Sequence, residues 1–196
     1  SVTLTDTIRG DEYTAYPFDV GIRIELHLER SSLELIIASE NVGAGACPIA
    51  FGWHPYFVLP DARTADDLVL RTSAERYVPV DARLLPIGGT ASVRGTALDR
   101  FCGSDGDRIA GEELDVAVTS LRAPIVTELQ SDRLLLRIEQ SGAFGYQQWF
   151  VPPDRGSIAV EPVTAATDSF NRPESGQRTL EPGETVRGRA KVSLSG

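Results

Sequence analysis

The sequence predicts an all-β protein built of many short antiparallel strands, and three observations carry that expectation. Apolar residues fall at every second position in Gly21-Ile22-Arg23-Ile24-Glu25-Leu26-His27-Leu28-Glu29, the period of a strand with one buried face. No stretch sustains the 3.6-residue period of a capped amphipathic helix. The apolar runs are short and are separated by Gly, Pro, Asp and Ser, the residues that close turns. Such a pattern builds a sandwich or an open barrel.

Taken in order, the run over residues 21–29 leads through Arg30-Ser31-Ser32 into Leu33-Glu34-Leu35-Ile36-Ile37-Ala38, so the two form a hairpin. Further strands are expected at 67–70, 114–119, 125–129, 134–139, 147–151, 157–161 and 187–194. The longer loops, 60–66, 84–94 and 171–182, are punctuated by Gly and Pro, but none has the length or bias of a domain linker. With no internal repeat and no low-complexity tract, residues 1–196 read as one domain.

Composition narrows the function classes. The chain has 196 residues, 41% hydrophobic and 24% charged, enough for a sizeable core and too interrupted for a membrane span. Nineteen basic residues against 28 acidic ones give a net charge of −9, which argues against a phosphate-backbone partner, so neither nucleic acid nor membrane is expected. Cys47 and Cys102 lack CxxC spacing and read as reduced thiols of a cytoplasmic protein. The chain contains no Met, so residue 1 is not an untouched translational start: either a start Met was removed ahead of Ser1 or a longer N-terminal piece is missing.

Only two histidines are present, in different settings. His27 shares the polar face of its strand with Arg23, Glu25 and Glu29 and is expected in solvent. His54 sits in Phe51-Gly52-Trp53-His54-Pro55-Tyr56-Phe57, where Pro55 favours an extended backbone. An imidazole among rings suits general acid–base chemistry near neutral pH, and equally a core histidine bonded to one carbonyl. Glu161 shares one strand face with Ser157 and Ala159 and is expected to end that strand, with room for a ligand against it or as an exposed edge carboxylate. Asp99 and Asp115 are further carboxylates near turns. Zinc-ligand spacing and the GxSxG, Walker and GxGxxG runs are absent, which leaves nucleophile, metal and nucleotide chemistry unsupported; no cofactor is expected.

At Phe51–Phe57 a wider pattern emerges. Together with Tyr16-Pro17-Phe18, Asn41-Val42-Gly43, Leu114-Asp115, Ile158-Ala159-Val160-Glu161-Pro162-Val163-Thr164 and Leu180-Glu181-Pro182-Gly183-Glu184, it resembles the aldose 1-epimerase (galactose mutarotase) family. The resemblance implies a large antiparallel β-sandwich with a sugar cleft on its concave sheet. It implies His54 as the general acid at the ring oxygen O5, Glu161 as the base at the anomeric O1 and Asp115 as a partner of sugar hydroxyls. Trp53 and Tyr56 are expected as cleft walls.

The family also carries, upstream of the Tyr-Pro-Phe region, a segment with an Asn/Arg-containing stretch and a further histidine, to which nothing here corresponds. On that reading the chain is the C-terminal portion of the family domain and lacks its N-terminal strands. Its open edge would be covered by a homo-oligomer or by a separate N-terminal fragment, or the protein is a natural short variant of uncertain activity. The expected substrate is a free hexose such as glucose or galactose. The alternatives are a non-catalytic carbohydrate-binding or regulatory domain and a hexose-6-phosphate 1-epimerase, whose phosphate would need an Arg cluster that spacing does not reveal.

Overall fold

The computed structural model describes residues 1–121 and 124–196. In chain order the strands are β1 (Val2–Ile8), β2 (Val20–Leu28), β3 (Ser32–Asn41), β4 (Cys47–Ile49), β5 (Tyr56–Phe57), β6 (Val69–Thr72), β7 (Arg76–Tyr77) and β8 (Ala91–Ser92). They continue with β9 (Asp107–Arg108), β10 (Asp115–Thr119), β11 (Val126–Gln130), β12 (Leu135–Gly142), β13 (Tyr146–Phe150), β14 (Ile158–Val163), β15 (Arg178–Leu180) and β16 (Thr185–Ser195). Helical structure among the described residues is confined to 3-10 turns at Ala65–Asp67, Ala97–Phe101 and Pro173–Ser175. No helix is long and apolar enough to cross a membrane.

The all-β expectation is met, and the strands pair antiparallel throughout. An eight-stranded sheet runs β1-β2-β3-β16-β12-β11-β6-β9, a six-stranded sheet runs β5-β14-β13-β10-β7-β8, and β15 pairs with β4. The 21–29 hairpin forms as expected, with Leu28 opposite Leu33 and the Glu29 N–H donating to Ser32 O at 2.8 Å. The other expected strands appear with ends shifted by up to three residues. What the periodicity missed are the two- and three-residue strands, too short to show a period, and β1, where Asp6 stands in the apolar parity of Val2 and Leu4. The expected loops at 84–94 and 171–182 contain β8 and β15.

The core lies between the two large sheets. Val118, Trp149, Ile158 and Val160 from the six-stranded sheet meet Leu70, Leu129 and Ile138 from the eight-stranded one, all buried. A polar chain crosses the same layer. Thr127 donates to Gln147 Oε1 at 2.5 Å and Trp149 Nε1 donates to the same oxygen at 2.8 Å. Gln147 Nε2 reaches Gln140 Oε1 at 3.0 Å, and Gln140 Nε2 ends on the carbonyls of Phe144 and Tyr146 at 3.0 and 2.8 Å. Gln147 on β13 and Gln140 on β12 thus tie one sheet to the other with their side-chain hydrogen bonds made, the condition under which a buried polar group is tolerated.

Several of the family-like motifs have structural work to do. Asn41, buried at the end of β3, donates to the carbonyls of Gly45 and Leu180 at 2.8 Å, while its own carbonyl takes the Gly183 N–H at 2.8 Å. The Tyr16 hydroxyl donates to Pro48 O at 2.6 Å beside the Phe18 ring. These segments close one corner around Val20, Cys47, Ile49 and Leu180.

Charge covers the outer face of the eight-stranded sheet. Buried Glu128 on β11 takes Arg71 Nε at 2.7 Å and Arg137 Nη1 at 2.6 Å, and the two guanidiniums hold its carboxyl below the usual range. His27 stands on this face with its side chain 43% exposed, 3.6 Å from Glu25, in keeping with the solvent position expected for it. At the sheet edge Val2 and Leu4 on β1 are 55% and 54% exposed.

Candidate active site

The site lies on the outer face of the six-stranded sheet. Strand alternation sends Ile158, Val160 and Pro162 of β14 inward and Ala159, Glu161 and Val163 outward. Glu161 does not end its strand, as the sequence suggested, because pairing continues through Val163 opposite Tyr146. The missing N–H of Pro162 is on the side of Trp53, so the ladder to β13 is intact, and towards Trp53 one bond of the pair forms in place of two: the Trp53 N–H donates to Pro162 O at 3.0 Å.

Residues 51–57 run antiparallel along β14. Gly52 pairs with Val163 and Tyr56 with Ala159, in a single register that brings His54 directly opposite Glu161. Pro55 has no N–H to continue the ladder, so the chain lifts between those two pairings where the functional side chains stand. Gly52 permits the approach: a Cβ there would lie 2.6 Å from Val163 Cγ1. The result is His54 Nε2 at 3.4 Å from Glu161 Oε1, with the imidazole stacked on the Tyr56 ring at 4.9 Å between centroids.

Gln148 is the residue that the sequence reading missed. It stands opposite Glu161 on β13, and its Nε2 donates to Asp115 Oδ1 at 2.7 Å. Its signal was present in the alternation of β13, which sends Gln147 into the core and Gln148 to the opposite face. The small side chains of Ala117 and Ala159 leave the floor between these groups low. The structure therefore brings His54, Tyr56, Glu161 and Asp115 onto one face. Trp53 is the exception: it points the other way and packs against Leu35, Ile37, Phe144 and Ala190, so the expectation of a cleft wall there is corrected. Neighbouring residues on a strand face opposite sides, and a strand that presents His54 must turn Trp53 away.

A cleft of 330 Å³ opens above Glu161 and Gln148, bounded by Phe51, Val163, Ala166 and Ser169. That lies at the lower end of the roughly 300–1,000 Å³ typical of small-molecule sites. No Lys or Arg is among its lining residues. Ala166, from the segment after β14, packs on Val78, Ala117 and Tyr146 and folds that segment over the sheet. Among the described residues no group of three His, Cys, Asp or Glu side chains converges as a metal site would require. Both cysteines are free, and burial pushes the Cys102 thiol up to about 11.

Burial, and after it the negative charge of Asp115, pushes the Glu161 carboxyl up to about 7. Its folded value therefore lies above its unfolded one, so between the two the folded chain binds the extra proton and stability falls as pH rises through that window. Glu161→Gln, which is never charged, is expected to be more stable than the parent at pH 8 by about 1–3 kcal/mol, a few degrees in Tm, with the gain gone at pH 4. Thermal unfolding at the two pH values checks this; an equal shift at both would mean that ionisation is not its cause.

The aldose 1-epimerase family model matches residues 1–193. The chain belongs to the aldose 1-epimerase family. None of the curated proteins matches it in sequence. Among solved structures, a galactose mutarotase-like protein of Clostridium acetobutylicum superposes with a TM-score of 0.85 at 17% identity, over 98% of this chain and 62% of its own. An aldose epimerase homologue of C. elegans gives 0.81 at 17% identity, over 98% and 65%, and galactose 1-epimerase of Lactobacillus acidophilus gives 0.82 at 20%, over 98% and 62%. At such identities the likeness speaks for the fold, which is the galactose mutarotase sandwich. This aldose 1-epimerase family chain spans somewhat under two thirds of the length of the structures it matches.

Proposed function

We propose that this chain interconverts the α and β anomers of a free hexose, with Glu161 as the base at O1 and His54 as the acid at O5. The observation that carries the reading is the pairing of His54 Nε2 with Glu161 Oε1 at 3.4 Å, above a floor of small side chains. Ring opening needs two proton transfers at two oxygens bonded to one carbon, so its acid and base must be neighbours.

The steps balance without a cofactor. Glu161 takes the O1 proton as His54 gives one to O5; the C1–O5 bond breaks and C1=O1 forms. After rotation about C1–C2, O5 attacks the other face of C1, returns its proton to His54, and the Glu161 carboxyl reprotonates O1. A carboxyl poised near neutrality serves both directions, accepting and returning a proton at little cost, and positioned acid–base groups of this kind contribute about 10²–10⁴-fold each. Asp115, with Gln148 bonded to it, would hold the hydroxyls remote from C1. A hexose phosphate is disfavoured, because the cleft lining holds no Arg or Lys to meet the phosphate.

Polarimetry of freshly dissolved α-glucose and α-galactose tests the reading: the protein is expected to speed the approach to anomeric equilibrium. Sugar binding without acceleration would point instead to a non-catalytic carbohydrate-binding domain, a reading favoured by the part-length match to the solved structures. The charge on Asp115 gives a second test. Activity should rise with pH as Glu161 ionises near 7, and Asp115→Asn, by removing a like charge, should move that limb to lower pH. A limb that stays in place would mean that another group governs it.

A further inference from the structure

The two large sheets have four edges, and among the described residues three of them end on strands of two residues, β9, β5 and β8. The fourth edge is β1, seven residues long, paired with β2 from Val2 opposite Leu26 to Ile8 opposite Val20 and open along its other side. Six of its seven residues are exposed. It contains no Pro and no Lys, the residues that blunt an open edge, and three of its members are β-branched Thr. A long edge of this kind is a template for another strand.

The ladder fixes which backbone groups on that edge are free. The Glu29 N–H donates to Ser32 O at 2.8 Å, so these two form a hydrogen-bonded pair, and by alternation His27, Glu25, Arg23 and Gly21 of β2 direct their backbone groups at β3. Leu26, Ile24, Ile22 and Val20 therefore turn theirs to β1, where they meet Val2, Leu4, Asp6 and Ile8. Thr3, Thr5 and Thr7 are left facing out. The Thr7 N–H is already taken by the carboxylate of its neighbour Asp6, at 2.8 Å. A complete donor and acceptor set remains at Thr3 and at Thr5.

We propose that β1 pairs with β1 of a second copy of this chain, antiparallel about a two-fold axis, with Thr3 opposite the partner's Thr5. This register satisfies the free groups of each copy on those of the other and leaves the Asp6 cap in place. A shift by two residues one way would set Thr3 against the partner's Thr7 and break that cap, and the other way would carry Thr5 to Ser1, outside β1. On the inner face Leu4 meets the partner's Leu4 on the axis, beside Val2, Ile24 and Leu26 of each copy. That strip now lies open: Phe51 and Trp53 cover Ile24 and Leu26 only in part, while Val2 and Leu4 are 55% and 54% exposed. On the outer face each row reads Glu25, Thr3, the partner's Thr5, the partner's Arg23, so opposite charges stand at its two ends and no like charges meet. Five paired residues make a small interface, below the roughly 1,200 Å² of stable complexes, so the expected Kd is on the order of 10–100 µM. Each copy carries a net charge of −9, and salt that screens this repulsion should strengthen the pairing.

Sedimentation velocity of the parent chain at concentrations up to about 200 µM is expected to show the mass rising from 21.2 kDa towards twice that value, at lower concentration when salt is added. Thr5→Pro should raise the Kd at least about tenfold, because it removes half of the hydrogen bonds between the copies. Every bond to β2 survives that change, since the Thr5 N–H faces away from it. Leu4→Cys should join two copies by a disulfide under mild oxidation, because residues facing each other in a non-hydrogen-bonded pair lie about 4.5 Å apart at Cα. Val2→Cys should stay at the background set by the parent's own two cysteines, since in this register its two copies lie on the order of 14 Å apart. A parent that stays monomeric throughout, a dimer that salt dissociates or Thr5→Pro leaves intact, or equal cross-linking of the two cysteine variants would overturn the proposal. Circular dichroism checks the folding of Thr5→Pro, and the cysteine variants decide the register without it.

Discussion

Glu161→Gln is expected to lower the catalysed rate of anomer interconversion by about 10³-fold or more, and His54→Asn by about 10²–10⁴-fold, with the fold unchanged. Each substitution keeps the approximate shape of the side chain and removes only the proton transfer. A glutamine in place of Glu161 could still fill the space opposite Gln148 but could not accept the O1 proton, and an asparagine in place of His54 could not deliver one to O5. The two groups act in a single step, so the double variant should lose little more than the worse single one. Polarimetry with purified variants, beside circular dichroism to establish folding, measures this. Near-parent rates in either variant would remove the role assigned to that residue. The loss should fall on kcat more than on KM, because neither group is asked to hold the sugar through its resting hydroxyls.

Gln147→Leu is expected to cost about 3–6 kcal/mol of stability, a large part of the roughly 5–15 kcal/mol that holds a domain together. Leu fits the space, so packing is nearly conserved and the effect isolates the hydrogen bonds. Without the Gln147 amide, the Trp149 indole N–H and the Gln140 Oε1 are stranded inside the core, and the Thr127 hydroxyl is left with Thr72 alone. Each stranded polar group costs about 1–3 kcal/mol. Gln140→Leu removes the stranded Oε1 but takes the donor from the Phe144 and Tyr146 carbonyls, so the double variant should cost less than the sum of the two single ones. Urea unfolding of the two single variants and the double one gives the coupling; strict additivity would show that the chain across the sheets carries no shared energy.

Much of the architecture was legible along the chain. The alternation in β2 and β3 predicts both strands and their hairpin, since a half-buried strand must place apolar residues on one face and polar residues on the other. His27 was placed correctly for the same reason. The short strands were not legible, because two or three residues carry no period, and they form only where a neighbour supplies the ladder. Trp53 was misread because an aromatic next to His54 in sequence is assumed to share its site, whereas strand geometry sends it to the opposite side. Gln148 escaped notice because its importance comes from standing between Glu161 and Asp115, on strands 13 and 33 residues distant in the chain.

The sequence by itself determined the fold class, through its periodicity, and the motifs whose resemblance to the aldose 1-epimerase family singles out His54 and Glu161, because both are written in neighbouring positions. Tertiary structure alone decided that His54 and Glu161 meet, since residues so far apart in the chain are brought opposite each other only by the register of Gly52 with Val163 and Tyr56 with Ala159. It also decided the raised affinity of Glu161 for its proton. That property belongs to the burial of the carboxyl and to the charge of Asp115 on another strand, and neither is a feature of the residue.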